Sequence, residues 1–285
     1  MSQSGKRWLE KGGNVVAKIF LNFFFVIVSL LAIYPLVWMI YSSFKTDQEF
    51  AKNIVSLPTQ IDFAVYKEAF TVGKMGTYIF NNLYIAPTCV LLITIFSFIV
   101  AYFINRFRFK GRKALFILFT IGMLTPVHGF LVPLYIQFTK LGLANHWFTL
   151  LFPITAFNMP LAIILYENFL SGVPYEVEES AMIDGAQLYQ RMTRITLPMC
   201  KPILSTVMIV DFLWVWNEFP FALVLINDDK LKTLSVGLSN FRGERSTSYP
   251  PLLAALTLVT VPILIVYCCF SKQIMDGMTA GAVKG

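Results

Sequence analysis

Six long apolar stretches, separated by short charged segments, constrain the fold of this chain more than any other feature. They cover approximately residues 19–41, 79–104, 114–137, 146–170, 203–226 and 252–271. A helix needs about 20 apolar residues to cross the hydrocarbon core of a bilayer, so each stretch is long enough to span a membrane. The sequence therefore predicts an all-α membrane protein with six transmembrane helices.

The composition supports this class. Asp, Glu, Lys and Arg make up 14% of the 285 residues, whereas a soluble domain has roughly 25%. The net charge of +7 is distributed over the segments between the apolar stretches, so we expect contact with membrane lipid and not with nucleic acid. The four cysteines have neither zinc-site nor disulfide spacing, and we expect no metal site.

The distribution of Lys and Arg predicts the orientation. With the N-terminus inside, fourteen of the 23 Lys and Arg residues fall in inner segments and nine in outer segments. The positive-inside rule then places both termini in the cytoplasm. The first apolar stretch is too long for the core of a signal peptide, and no small-residue cleavage site follows it. We therefore interpret it as a retained anchor.

These features predict one membrane domain with three cytoplasmic segments. The six-span domain covers residues 19–271, preceded by a cytoplasmic N-terminal segment, 1–18, and followed by a cytoplasmic tail, 272–285. Between spans four and five lies a polar cytoplasmic insert, residues 173–202. A membrane protein that interrupts its spans with such a segment has something there for another protein to bind.

The first half of the insert has the pattern of a short helix. Pro174 suits a first helical turn, where its missing N–H is not needed. The carboxylates of Glu176, Glu178 and Glu179 follow, at the positive end of the helix dipole. Gly185 can end this helix or allow a sharp turn.

The second half of the insert has the pattern of an amphipathic helix. This helix is predicted to begin at Gln187 and to stop at Leu197-Pro198, because proline cannot continue a helical hydrogen-bond ladder. From composition alone, the insert could also be an interfacial helix that lies in the lipid headgroups without a protein partner.

The spacing of the insert carries a resemblance to a known family. Glu179-Ser180-Ala181 is followed after three residues by Gly185, and after nine more by Ile195, one residue and Leu197-Pro198. This pattern resembles the EAA signature of bacterial ABC-importer permeases, with Ser180 where the family usually has a second Ala. The runs 212–219 and 277–285 are similar to the carbohydrate-uptake branch, in particular to its maltose-permease-like, six-span subunit.

The resemblance implies a fold, partners and a docking element. The insert would be a coupling helix that docks on an ABC ATPase present in two copies, which bind ATP and Mg, so no cofactor and no catalytic residue are expected on this chain. The other implied partners are a second related permease, forming a heterodimer, an extracytoplasmic solute-binding protein and a sugar. The resemblance implies that the protein is located in the bacterial cytoplasmic (inner) membrane. The implied docking residues are Glu179, Ser180, Ala181, Asp184, Gly185 and Ala186.

An independent observation agrees with a separate ATPase. The chain contains no G-x-x-x-x-G-K-[ST] motif, whose backbone N–H groups and lysine bind nucleotide phosphates. ATP hydrolysis is therefore expected on another subunit.

Polar residues within the spans are candidates for a translocation path. Acidic groups in a span usually face the protein interior or an aqueous cavity, and Asp211 and Glu218 are seven residues apart, so we expect them to share one helix face. The alternative is structural: these groups hydrogen-bond a neighbouring helix or the backbone freed at Pro220. We favour the structural alternative because the Trp-Asn-Glu run resembles a family-wide feature. The full candidate set is Asp211, Trp214, Asn217, Glu218, His128 and Asn158.

Three other functions are compatible with a six-span chain. Polyol phosphates as substrates would predict basic residues deep in the path, and no Lys or Arg lies clearly in mid-span. A stand-alone secondary carrier would favour an internal repeat and would leave the insert without a purpose. An intramembrane enzyme would need a nucleophile or metal motif, and H-E-x-x-H does not occur.

Overall fold

The computed structural model describes residues 3–239, 241 and 248–282, with side chains over 18–239, 241 and 248–271. Every regular element in these ranges is a helix, which confirms the predicted all-α class. The elements are α1 (Gln3–Ser42), α2 (Asp47–Lys52), α3 (Ala64–Thr71), α4 (Met75–Arg106), α5 (Arg112–Gly122), α6 (Val127–Lys140), α7 (Leu151–Leu170), α8 (Glu176–Ile183), α9 (Leu188–Gln190), a π-helix (Arg191–Thr196), α10 (Leu197–Met199), α11 (Lys201–Trp216), α12 (Pro220–Leu225), α13 (Leu234–Ser239) and α14 (Tyr249–Ala282).

Three straight helical segments are long and apolar enough to cross a membrane. Within the described residues they are Lys18–Ser42, Met75–Arg106 and Tyr249–Ser271, and the number rises to five if each of two bent helix pairs forms one span. The predicted fourth span, α7, is not among them. The count of six spans therefore stays a prediction.

Two of the predicted spans are not single helices. The third is divided into α5 and α6, which meet at 99°. Pro126 lies at this break in an extended conformation, with φ −71° and ψ 109°. A helix often ends at proline because proline lacks an N–H donor and disfavours helical geometry in the residue before it. In the fifth, α11 ends at Trp216 and α12 begins at Pro220, so the prediction of one helix over 203–226 is wrong.

The second helix of the insert ends at Met199, one residue beyond the predicted stop at Leu197-Pro198. The π-helix Arg191–Thr196 runs directly into α10, which ends at Met199. A π-helical turn has a displaced hydrogen-bond ladder, and such turns accompany local disruptions of the kind that a proline causes. The chain then bends by 78° before α11. The helices at both ends are long: α1 begins at Gln3, and α14 continues into the predicted tail as far as Ala282.

One of two compact units comprises residues 1–69 and 243–258. Its main feature is a fully buried lysine, Lys45, just after α1. The Lys45 Nζ donates hydrogen bonds to the carbonyl oxygens of Asn53 (3.1 Å) and Ile54 (3.0 Å). Trp38 Nε1, on α1, donates to the same Ile54 oxygen at 3.1 Å. These bonds fold the segment that follows α1 back onto the end of that helix.

The second unit comprises residues 70–242 and 259–285, and its core is built around α4. This helix packs against α7 and α11. Its buried positions include small residues, Ala86, Cys89, Ser97 and Ala101, which allow helices to approach closely within a membrane. The candidate docking and path residues all belong to this unit.

The segment after α12 is attached to the start of α4. The Asn81 side chain donates to the carbonyl oxygens of residues 230 and 232, both at 2.8 Å, and Asn82 accepts from the backbone N–H of Leu234 at 3.2 Å. Asp229 is held by Lys232 at 2.6 Å and by Lys74 at 2.8 Å. These hydrogen bonds, first from Lys232 and then from Lys74, lower the pKa of Asp229 to about 2.

The contact between α13 and α4 gives a testable prediction. A Cβ added at Gly237 would overlap the ring of the buried Tyr78, and overpacking of this kind costs about 1–3 kcal/mol. We expect Gly237→Ala to lower the Tm of the detergent-solubilised protein. The matched control is Gly76→Ala, whose Cβ would lie 3.5 Å from the Phe70 ring, and it should not lower the Tm. Equal Tm values for the two variants would contradict the packing described here.

Candidate functional site

The helix α8 presents the implied docking residues at the surface. It spans Glu176–Ile183 and carries three carboxylates in its first turn. Ile183, at its end, is 87% exposed, and an exposed apolar side chain of this size is typical of a protein-binding surface when it lies among other exposed apolar groups, here Val177 and Met182. Of the docking set, Glu179, Ser180, Asp184 and Gly185 are exposed, and Ala181 and Ala186 are half-buried.

Gly185 closes α8 with a left-handed turn, as predicted for a helix end. Its φ is +84°, which glycine adopts without steric cost. The N–H of Ala186 donates to the carbonyl of Ala181 at 2.9 Å, and the N–H of Gly185 donates to that of Met182 at 3.1 Å. This pair of bonds is a Schellman motif. The region around Gly185 is open, since no atom lies within 4 Å of where a Cβ would sit.

Ser180, the departure from the family signature, is accommodated within α8. Its Oγ donates to the carbonyl oxygen of Glu176, one turn earlier, at 2.9 Å. This local bond satisfies the hydroxyl without a partner from elsewhere. Serine therefore replaces alanine here without disturbing the helix.

The most constrained side chain of α8 is Glu178, which is buried at 2% exposure. Its Oε1 accepts hydrogen bonds from Arg106 Nε at 2.8 Å and from Thr196 Oγ1 at 2.8 Å. Its Oε2 accepts one from the Tyr102 hydroxyl at 2.7 Å. One carboxylate on α8 thus joins the end of α4 to the π-helix. We call Glu178, Arg106, Tyr102 and Thr196 the carboxylate cluster.

Burial makes the ion pair of this cluster sensitive to the loss of either partner. The side chains of Arg106 and Glu178 are 6% and 2% exposed. Removing one partner of such a pair leaves a desolvated charge and costs about 3–5 kcal/mol. Arg106 also donates to the carbonyl oxygen of Val173 at 3.2 Å and lies 5.7 Å from the centre of the Tyr175 ring.

Sequence reasoning missed the carboxylate cluster. It grouped Glu178 with Glu176 and Glu179 as carboxylates at a helix N-terminus, and it counted Arg106 only for orientation. Arg106 and Glu178 are 72 residues apart, and no periodic pattern connects residues at that distance. The available signal was weak: one glutamate of three falls on the side of α8 that faces the rest of the chain.

The acidic residues of the fifth predicted span do not share a helix face. Asp211 is buried at 2% exposure in α11, but α11 ends at Trp216 and Glu218 lies beyond it. The Glu218 carboxylate accepts hydrogen bonds from the backbone N–H of Phe221 at 2.6 Å and of Ala222 at 3.2 Å. This geometry caps α12 and fits the structural alternative for Glu218.

Asp211 lies in a different environment. Its Oδ2 has no hydrogen-bond partner among the described residues, and the same holds for the buried Tyr166 hydroxyl and Thr94 Oγ1. A buried polar atom without a partner carries a desolvation cost, so a water or another polar group is expected beside Asp211 Oδ2.

The other path candidates are dispersed over three helices. Trp214 is 66% exposed on α11, and the amide of Asn217 donates to the carbonyl of Leu213 at 2.7 Å. His128 is exposed in the first turn of α6, and Asn158 on α7 donates to Ile154 at 2.8 Å. No group of three or more potential metal ligands occurs in the described part of the chain.

Comparison with known proteins identifies the family. Residues 93–274 match the family described as "Binding-protein-dependent transport system inner membrane component". The chain belongs to this family. Its match includes α8, the carboxylate cluster and the last two predicted spans, so this permease is an inner-membrane transport component.

Two relatives and one solved structure extend the match to nearly the whole permease. It is 37% identical to the probable ABC transporter permease protein YurM of Bacillus subtilis, covering 92% of this chain and 87% of the relative. It is 31% identical to the melibiose/raffinose/stachyose import permease protein MelC of the same organism, covering 91% and 94%. Its fold matches a bacterial ABC transporter involved in the import of alginate, with a TM-score of 0.78 at 23% identity over 95% and 98% of the two chains.

The capping role of Glu218 gives a testable prediction. Glu218→Ala removes both acceptors at the start of α12 and should lower the free energy of unfolding by about 1–2 kcal/mol, as for other helix caps. Glu218→Gln keeps one acceptor and should cost less. Thermal unfolding in detergent measures both, with Asn217→Ala as the control, because Asn217 is exposed and water can replace its bond. An unchanged Tm for Glu218→Ala, combined with lost transport, would instead favour a role in the path.

Proposed function

We propose that this chain is the transmembrane permease subunit of an ATP-driven, binding-protein-dependent importer for a sugar or oligosaccharide. It forms half of the translocation path and couples to an ATPase subunit through α8. The observation that carries the proposal is the exposed position of the EAA-signature residues on α8 and its closing turn.

The chemistry of α8 suits docking into a cleft on another protein. The small residues Ala181 and Gly185 allow a partner backbone to approach closely. The exposed carboxylates of Glu179 and Asp184 can pair with a basic group on the ATPase, and Ile183 offers an apolar anchor. This combination of an apolar centre and charged neighbours is typical of a protein interface.

The sugar class is supported by the relatives and by the side chains of the fifth span. One relative is named for the import of melibiose, raffinose and stachyose, and a protein of the same fold imports a polysaccharide. Trp214, Asn217 and Asp211, whose Oδ2 has no partner among the described residues, offer the ring and hydrogen-bonding groups that sugars bind. We therefore propose a sugar in preference to a polyol phosphate.

The assembly that follows from this function has several subunits. The family description includes dependence on a binding protein, and we propose an extracytoplasmic solute-binding protein, a second related permease and two ATPase copies as partners. ATP and Mg bind to the ATPase subunits. Closure of the ATPase pair displaces the coupling helices and moves the spans between inward-facing and outward-facing states. With α8 in the cytoplasm, both termini lie there too.

Co-purification of the detergent-solubilised complex tests the docking role. We expect the unsubstituted chain to bring down a nucleotide-binding subunit and a second permease. Glu179→Lys reverses a charge on the exposed face of α8, and Gly185→Asp places a side chain and a charge at the closing turn. Both positions are exposed. Asp is one of the few residues besides glycine that visit the left-handed region, so the φ of +84° at position 185 adds only local strain. Both variants should therefore insert normally, but they should lose the ATPase.

The matched control is Glu68→Lys, the same charge reversal at an exposed position on α3, which should retain the ATPase. An unsubstituted chain that purifies alone and transports without ATP would contradict the proposal. In that case α8 would be an interfacial helix and the protein a stand-alone carrier.

A further inference from the structure

The attachment of α8 to the rest of the second unit depends on a charge and not on apolar packing. Glu178 is the one buried residue of this helix. The apolar side chains Val177, Met182 and Ile183 are exposed at 42%, 39% and 87%. A helix usually attaches by burying an apolar face, and α8 leaves its apolar residues free for a partner.

The carboxylate cluster joins three elements that lead to two different membrane helices. Arg106 is the last residue of α4, and Tyr102 lies one turn before it. Thr196 is the last residue of the π-helix, which continues through α10 towards α11. The carboxylate of Glu178 therefore links α8 both to the end of α4 and to the segment that leads into α11.

Arg106 holds the start of α8 as well as Glu178. The Arg106 Nη2 donates to Val173, three residues before α8, at 3.2 Å, and its Nη1 donates to the Asn105 side chain at 3.1 Å. The guanidinium also lies over the ring of Tyr175, at 5.7 Å. Because guanidinium is planar and makes several bonds in fixed directions, this arrangement fixes the orientation of α8 and not only its distance from α4.

We propose that Arg106 and Glu178 are positioning residues that transmit the displacement of α8 to α4 and α11 during transport. This inference rests on the proposed docking of α8 to an ATPase. Neither residue belongs to the exposed docking surface, since both are buried. Their loss should therefore leave the ATPase bound and break the connection between ATP binding and movement of the membrane helices.

The first readout is docking, measured as the amount of ATPase that co-purifies with Glu178→Gln, Arg106→Gln and Arg106→Lys. All three are expected to retain the ATPase, because the exposed residues of α8 are unchanged. Arg106→Lys keeps the charge but cannot make the three directed bonds, which makes it the variant least exposed to misfolding.

The second readout is the ATP-dependent movement of α11. Met208→Cys places a thiol at a 38% exposed position on α11, outside the candidate path residues, in a chain whose exposed Cys268 and Cys269 are replaced by Ser. A maleimide probe then measures the labelling rate with and without ATP, and no knowledge of the sugar is needed. In the chain that keeps both Arg106 and Glu178 we expect ATP to change this labelling rate. In Glu178→Gln and Arg106→Gln the change should fall about tenfold, within the range for loss of one coupling link.

Two further variants separate transmission from general destabilisation. The exchange Arg106→Glu with Glu178→Arg restores opposite charges and should recover part of the ATP-dependent change. Arg108→Gln removes the exposed arginine of the same connection and should behave as the unsubstituted chain.

Four results would overturn the proposal. The first is a normal ATP-dependent change of the labelling rate in the single variants, and the second is loss of the ATPase from those variants. The third is no recovery of the change in the chain with exchanged charges. The fourth is no ATP-dependent change in the chain that keeps Arg106 and Glu178. Failure of the proposed function is distinguishable from these, because the unsubstituted chain would then not co-purify with an ATPase at all.

Discussion

The arrangement of the region around α8 depends on one buried ion pair. Glu178 enters the protein from a helix that is otherwise exposed, and Arg106 meets it at the point where α4 ends. A buried charge pair is stable only when its remaining donors and acceptors are satisfied, and here the hydroxyl groups of Tyr102 and Thr196 complete the set. The exposed surface of α8 is free for docking because this carboxylate supplies the attachment.

The rest of the second unit also combines close helix packing with a few specific polar contacts. Small residues of α4 allow α7 and α11 to pack closely, which gives the unit a compact centre. At the break before Pro220, the Asn82 amide of α4 donates to the carbonyl oxygen of Trp216 at 3.0 Å, and Glu218 accepts from N–H groups in the first turn of α12. Asp211 remains the interior carboxylate with an oxygen that the described residues do not satisfy.

The helical class and the position of the insert could be predicted from the sequence because both depend on local patterns. Apolar length predicts a helix, and the polar run from Val173 to Pro202 predicts an interruption between two apolar segments. The sequence could not predict that α11 ends at Trp216 or that the second helix of the insert contains a π-helical turn, because a π-helical turn and a capped break depend on hydrogen bonds between particular groups. It missed the pairing of Arg106 with Glu178 for a related reason, since long-range contacts leave no periodic signal in a single sequence.

The rigidity of the connection between α8 and α4 is tested most directly by a distance measurement. Spin labels at Ile95→Cys on α4 and Glu176→Cys on α8 occupy exposed positions outside the proposed docking residues, in a chain with Cys268 and Cys269 replaced by Ser. Pulsed electron paramagnetic resonance then gives the distance between the labels in the assembled complex, with and without ATP. If the ion pair joins the two helices as one body, a single narrow distance is expected in both states. A distance that shifts or broadens when ATP binds would contradict the account.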